Sequence, residues 1–266
     1  MTLTAEQVAK NWEVLISYID KYVSSPRKEQ LIEFYENHSA RISLMPASHK
    51  KEYHNSFPGG YVDHVVRVTS ASLHLYDLWV KFGMDTSTFT EEELVFSAVN
   101  HDLGKIGSEE EESYIPQTDQ WRKEKLGEDY TFNPKVPFAS VPDRGLFLLQ
   151  AHGIKYTFNE MIAIQTHDGL WDEANKKYLI SFSPEQKFRT SLPYIIHQAD
   201  ILASRVEFER EWLPKFKKEK NSSVENPKDK FKLKTPSSTQ GKPEDIKSKA
   251  LKNLKNPALQ DLLNNL

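Results

Sequence analysis

Thr90-Glu91-Glu92-Glu93-Leu94-Val95-Phe96-Ser97-Ala98-Val99-Asn100-His101-Asp102-Leu103-Gly104-Lys105 reads as one short helix with a reactive end. Thr90 and Glu93 have capping-box spacing, in which hydroxyl and carboxylate each satisfy a backbone N–H of the first turn. Leu94, Val95, Ala98 and Val99 recur at helical spacing and turn inward. His101 and Asp102 fall in the last turn, about 100° apart around the axis, so they can clasp one ion from two sides. Gly104 lets the backbone turn sharply, so that the pair faces a cavity.

The same punctuation recurs outward from this stretch. Thr4 with Gln7 opens a helix to about residue 22, with Val8, Trp12, Leu15, Ile16 and Ile19 on one face. Thr157 with Glu160 opens another before Met161, Ile162 and Ile164. Ser25-Pro26 fits an N-cap and first-position pair for a helix through Phe34 and Tyr35. Gly59-Gly60 precedes a helix carrying Val62, Val65, Val66, Thr69, Leu73 and Tyr76. The last helix of the body spans 192–212, with Ile195, Ile196, Ala199, Leu202, Ala203 and Val206 as its buried stripe. No run alternates as a strand does, and the expected fold class is all-α.

Two stretches break the pattern. Residues 108–142 hold an acidic run at 109–112, then Pro116, Gly127, Pro134, Pro137 and Pro142, and read as a long irregular insertion with room for a short hairpin. Loops of that length often serve as lids or binding loops. Residues 175–183 read as a second small hairpin. Four segments result: 1–45, N-terminal helices packing on the core; 46–212, the main domain; 213–242, a basic flexible linker too poor in apolar residues to bury a core; and 243–266, an amphipathic helix kinked at Pro257.

Composition removes whole classes of chemistry. The chain has 266 residues and no cysteine, so disulfides, thiolate metal sites and cysteine nucleophiles are excluded. No apolar run approaches the roughly 20 residues needed to span a bilayer, and no secretory signal is visible, which places the expected chain in the cytoplasm, away from the membrane. The net charge of −3 conceals an asymmetry. Residues 213–266 carry 13 lysines against 6 acids, while residues 1–212 carry 22 basic and 32 acidic residues. The acidic body argues against a broad nucleic-acid surface on the domain itself.

With sulfur absent, any metal needs nitrogen and oxygen ligands. His64 sits in an apolar helical stripe, where a histidine is more often a satisfied core residue than a ligand. Asp200 changes the balance, because it lies within the buried stripe of the 192–212 helix and a carboxylate rarely goes inside unless paired or coordinating. His64, the pair His101-Asp102, and Asp200 together make a four-ligand set suited to manganese, iron, cobalt, nickel or magnesium. Lys105 has two readings: neutralising a phosphate, or capping a helix C-terminus at the surface. His54, in the approach to Gly59, has the readings of substrate contact and local cap. Arg67 and Arg205 either bind phosphate or pair with the acids of the body. His38, His49, His74 and His197 belong to no motif, and Trp12, Trp79 and Trp212 read as core or interface residues.

The order His64, His101-Asp102, Asp200 resembles the H…HD…D signature of the HD superfamily of metal-dependent phosphohydrolases. The lead-in Pro46-Ala47, His54-Asn55, Phe57-Pro58-Gly59-Gly60 and Val62-Asp63-His64, together with His101-Asp102-Leu103-Gly104-Lys105, is similar to the branch containing the YhaM-type 3′→5′ exoribonucleases. The resemblance covers roughly residues 46–212 and implies an HD-domain helical bundle. It also implies one or two divalent ions and hydrolysis of a phosphoester, in a nucleotide or related small molecule, with Asp102 orienting or deprotonating water. Some members carry two further histidines. His167, at the end of an apolar helix, fits a second-metal ligand or phosphate-side acid. His152, before Gly153, also fits a helix C-terminus. Only helical residues precede Pro46, where the exoribonucleases carry an OB-type domain. An exonuclease using the basic tail is the second reading, and a scaffold docking a protein partner through 243–266 is the third. Oligomeric state and substrate are not legible.

Overall fold

The computed structural model describes residues 3–51, 53–211 and 213. Trp212 and the segments 213–242 (but for residue 213) and 243–266 therefore lie outside the described residues. Among the described residues the chain is all-α, with one small sheet. The helices are α1 (Ala5–Tyr22), α2 (Arg27–Asn37), α3 (Ser39–Ile42), α4 (Gly60–Lys81), α5 (Glu91–Asn100), α6 (Gln120–Leu126), α7 (Val141–Ala151), α8 (Phe158–Thr166), α9 (Lys176–Leu179) and α10 (Leu192–Glu211). None of them is long and apolar enough to cross a membrane.

Helix α4 is the axis of the fold. Its residues from Gly60 to Leu73 are buried except Asp63, so it is covered on nearly every side. Helices α1, α5 and α10 pack on it, and α8 closes the far side against α5 and α10. One continuous core results, running from Trp12 and Leu15 through Leu31, Val65 and Phe96 to Ile196 and Ala203. The described residues of the 1–45 segment thus share the core of the residues that follow. Trp12 is buried in it, whereas Trp79 is partly buried and donates from Nε1 to Gln198 at 3.1 Å.

The capping boxes at Thr4, Thr90 and Thr157 all form, each with its reciprocal pair of hydrogen bonds. Gly59 caps α4 at φ 81°, a left-handed conformation open to glycine. Other local expectations fail for identifiable reasons. Ser25 bonds Glu29 with its hydroxyl rather than a helix amide, and α2 starts one residue after Pro26. In α10, Leu202 is 39% exposed and Val206 is only partly covered, while Glu207 is buried in the stripe instead. Residues 175–179 form helical turns, ending in α9, and 180–183 are irregular, so no hairpin forms there. Gly104 lies in a 3-10 turn spanning Leu103–Ile106; a Cβ there would collide with the backbone carbonyl of Val141. Close approach of α7, not a sharp turn, is what demands glycine.

The insertion is more ordered than a loop. Strands β1 (Tyr114–Pro116) and β2 (Tyr130–Phe132) pair antiparallel, with Tyr114 opposite Phe132, and α6 connects them. Two arginines fix its roots by donating to main-chain carbonyls. Arg41 reaches Ile106, Ser108 and Glu109, and Arg144 reaches Gly104 at 3.1 Å and Pro137 at 2.9 Å.

Candidate metal centre

Three buried histidines meet among the helices, and each has one ring nitrogen tied down. His101 follows α5 as its cap, and its Nδ1 donates to the Ala98 carbonyl at 2.8 Å. His167 occupies the same place after α8, with Nδ1 donating to Ile164 at 2.7 Å. A carbonyl only accepts, so both rings carry the proton on Nδ1 and turn Nε2 to the centre. His64, one turn into α4, gives its Nδ1 to both Glu207 oxygens at 3.2 Å. Its Nε2 then lies 3.3 Å from His101 Nε2 and 3.2 Å from Asp200 Oδ1.

Asp102 faces all three rings. Its Oδ2 is 3.6 Å from His64 Nε2 and 3.5 Å from His101 Nε2, and its Oδ1 is 3.5 Å from His167 Nε2. Lys105 is no surface lysine: its ammonium is buried and lies 2.6 Å from Asp102 Oδ2. Donors bound to one ion at about 2.0–2.2 Å sit about 2.8–3.6 Å from one another, the shorter at octahedral and the longer at tetrahedral angles. The distances from His64 Nε2 to His101, Asp102 and Asp200 and from His101 Nε2 to Asp102, 3.2–3.6 Å, lie within that range. The all-nitrogen-and-oxygen donor set suits borderline and hard divalent ions. The residues present therefore fit a metal.

Electrostatics follow from burial and partners. Burial opposes the imidazolium form of His64, yet Glu207 and Asp200 outweigh it and push its pKa up to about 10. Burial likewise opposes His167, but Asp168 and Asp102 carry it up to about 9. For His101 burial prevails and brings it down to about 4. Burial works against ionised Asp102, but the Lys105 ammonium holds the carboxyl well below its ordinary value. Asp200 is lowered in the same way, chiefly through the hydrogen bond from His64 against the cost of burial.

The other sequence candidates sort cleanly. Three further donors border the centre: Asp168, with Oδ2 at 3.6 Å from His167 Nε2; His54, whose ring centroid is 4.5 Å from that of His64; and Glu207 behind His64. His54 is no local cap: its Nε2 is buried without a hydrogen-bond partner, and it groups with His64 and Asp102 as donors able to share an ion. Glu207 carried a signal that was missed, since it lies seven residues, two helical turns, after Asp200 on the same face. His152 is elsewhere: it caps α7 and pairs with Glu109, as does His38. Arg67 pairs with Asp63 and Glu207, and Arg205 with Glu209, so both arginines serve acids of the body. His49 packs on Tyr114 and Phe132, His74 bonds the Ser70 carbonyl, and His197 bonds the His167 carbonyl at 2.6 Å. Comparison of the chain with protein-family models, with curated proteins and with solved structures finds no match.

Proposed function

We propose that the protein is a metal-dependent phosphohydrolase acting on a nucleotide or a related small phosphorylated molecule in the cytoplasm. The observation that carries the reading is the convergence of three Nε2 atoms, each with its Nδ1 anchored, on the carboxylates of Asp102 and Asp200. The resemblance of His64, His101-Asp102 and Asp200 to the HD superfamily favours a phosphoester over other bonds open to hydrolysis.

His64, His101, Asp102 and Asp200 would hold a divalent ion such as manganese, iron, cobalt, nickel or magnesium. Such an ion supplies Lewis acidity toward a phosphoryl oxygen and makes water a stronger acid. Asp102, kept anionic by Lys105, can orient water or accept its proton. His167, whose Nδ1 is held by the Ile164 carbonyl, turns Nε2 toward Asp102 and would in its protonated form donate to a phosphoryl or leaving oxygen. Lys105 supplies buried positive charge where phosphate charge would develop. His54 and Asp168 add the donors from which a second ion would draw.

The deciding experiment is elemental analysis of the purified protein beside Asp102→Ala and Asp200→Ala, with a parallel screen for phosphate release from nucleotides. The expected result is a transition metal or magnesium in the wild type, lost from both variants together with hydrolysis. A protein that neither takes up Mg²⁺, Mn²⁺ or Co²⁺ nor releases phosphate after reconstitution overturns the proposal.

A further inference from the structure

A second group of metal-grade donors lies outside the centre and plays no part in the reaction proposed above. His38, Glu109 and His152 each bring one donor atom within 4.8 Å of the other two. They come from three separate parts of the chain: the junction of α2 and α3, the first segment of the insertion, and the cap of α7. His38 Nε2 is 3.2 Å from one Glu109 oxygen, and His152 Nε2 contacts the other at 2.5 Å.

The arrangement is held in place from behind. His38 Nδ1 donates to the Phe34 carbonyl at 2.9 Å, which leaves Nε2 as the nitrogen facing Glu109. The Phe34 ring, itself buried, packs against both imidazoles, with centroids 4.6 Å from His38 and 4.7 Å from His152. Arg41 fixes the Glu109 main chain through its carbonyl at 2.9 Å. The side chains of Glu109 and His152 are 49% and 32% exposed, so an ion has a path in and a free side for solvent.

We propose that His38, Glu109 and His152 form a second, surface metal site of the zinc class. Two imidazole nitrogens and a carboxylate with one solvent position is an established zinc donor set. The ion needs both Nε2 lone pairs free, so any proton shared between a ring and the carboxylate is released to solvent on binding. Occupancy ties residue 109, four positions beyond Lys105, to the helical body. The rival reading is an ion pair between Glu109 and two protonated histidines, with no metal.

The test is a calorimetric Zn²⁺ titration of the full chain, with Glu109→Gln, His152→Ala and Asp102→Ala beside it. The wild type should bind one equivalent of zinc that Glu109→Gln and His152→Ala both lack. Asp102→Ala should keep that equivalent while losing metal at the buried centre, so failure of one site is distinguishable from failure of the other. Equal zinc uptake by the wild type, Glu109→Gln and His152→Ala overturns the second site in favour of the ion pair. Circular dichroism checks each fold, and if His152→Ala unfolds, the exposed substitution Glu109→Gln decides alone.

Discussion

Glu207 lies behind His64 as a buried carboxylate with two duties, orienting the imidazole and neutralising Arg67. Partners that stand behind a metal ligand fix its ring orientation and basicity, and their loss typically weakens metal binding about 10–100-fold. Glu207→Gln should therefore weaken metal binding by that order in a competition titration, with unchanged circular dichroism; affinity equal to wild type would show that His64 does not depend on Glu207. Gly104 belongs to the same scale. Gly104→Ala would drive a methyl into the Val141 carbonyl, and overpacking of this kind costs about 1–3 kcal/mol. Urea denaturation should register that loss, and a stability equal to wild type would contradict the close approach of α7. His101 and Asp102 were legible because their helix announces itself locally through its cap and apolar spacing. Glu207 was not, because the periodicity that places Leu202 and Val206 inside treats an acid in that stripe as solvated. The true buried face of α10 is turned toward Asp200 and Glu207 by the polar site it serves.

At the scale of elements, one polar network locks α2 to α5 and α8. Arg27 donates to both Glu160 oxygens at 2.8 Å and to Glu92, and its guanidinium lies 4.3 Å from the Phe96 ring centroid. Glu160 has no exposed side-chain surface. Removing one partner of such a pair strands a buried charge and costs about 3–5 kcal/mol. Arg27→Ala should lose stability in that range, and Arg27→Met combined with Glu160→Leu should recover much of it; a loss below about 1 kcal/mol in the single variant would mean that water reaches Glu160 freely. The helices visible in the sequence are those with a cap and a buried stripe. Helix α6 was hidden because none of its residues is buried, so it has no apolar period to read. The length of the insertion suggested a lid or binding loop, and Arg41 and Arg144 hold the main chain at its roots.

For the whole molecule, the candidate ligands would join the helices as much as the helices position the candidate ligands. His64, His101, Asp102, His167 and Asp200 lie on or at the ends of α4, α5, α8 and α10, which share one core. An ion that binds only the folded state, at 100 times its dissociation constant, adds about 2.7 kcal/mol. Saturating Mn²⁺ should raise the melting temperature of the wild type, and Asp200→Asn should abolish the rise; an equal rise in both would place the stabilising ion elsewhere. The sequence showed which residues would gather but not how they are held, because the Nδ1 anchors of His101 and His167 are main-chain carbonyls, which no side-chain pattern encodes. The same placement has a consequence in time. His64 and His101 are 37 residues apart, and His64 and Glu207 are 143 apart. A nascent chain emerging at about 5–20 residues per second presents its first histidines several seconds before α10 arrives with Asp200 and Glu207. On the proposed metal reading, capture waits for α10, and a nascent chain whose emerged part ends near residue 190 should present His64, His101 and His167 yet retain no ion.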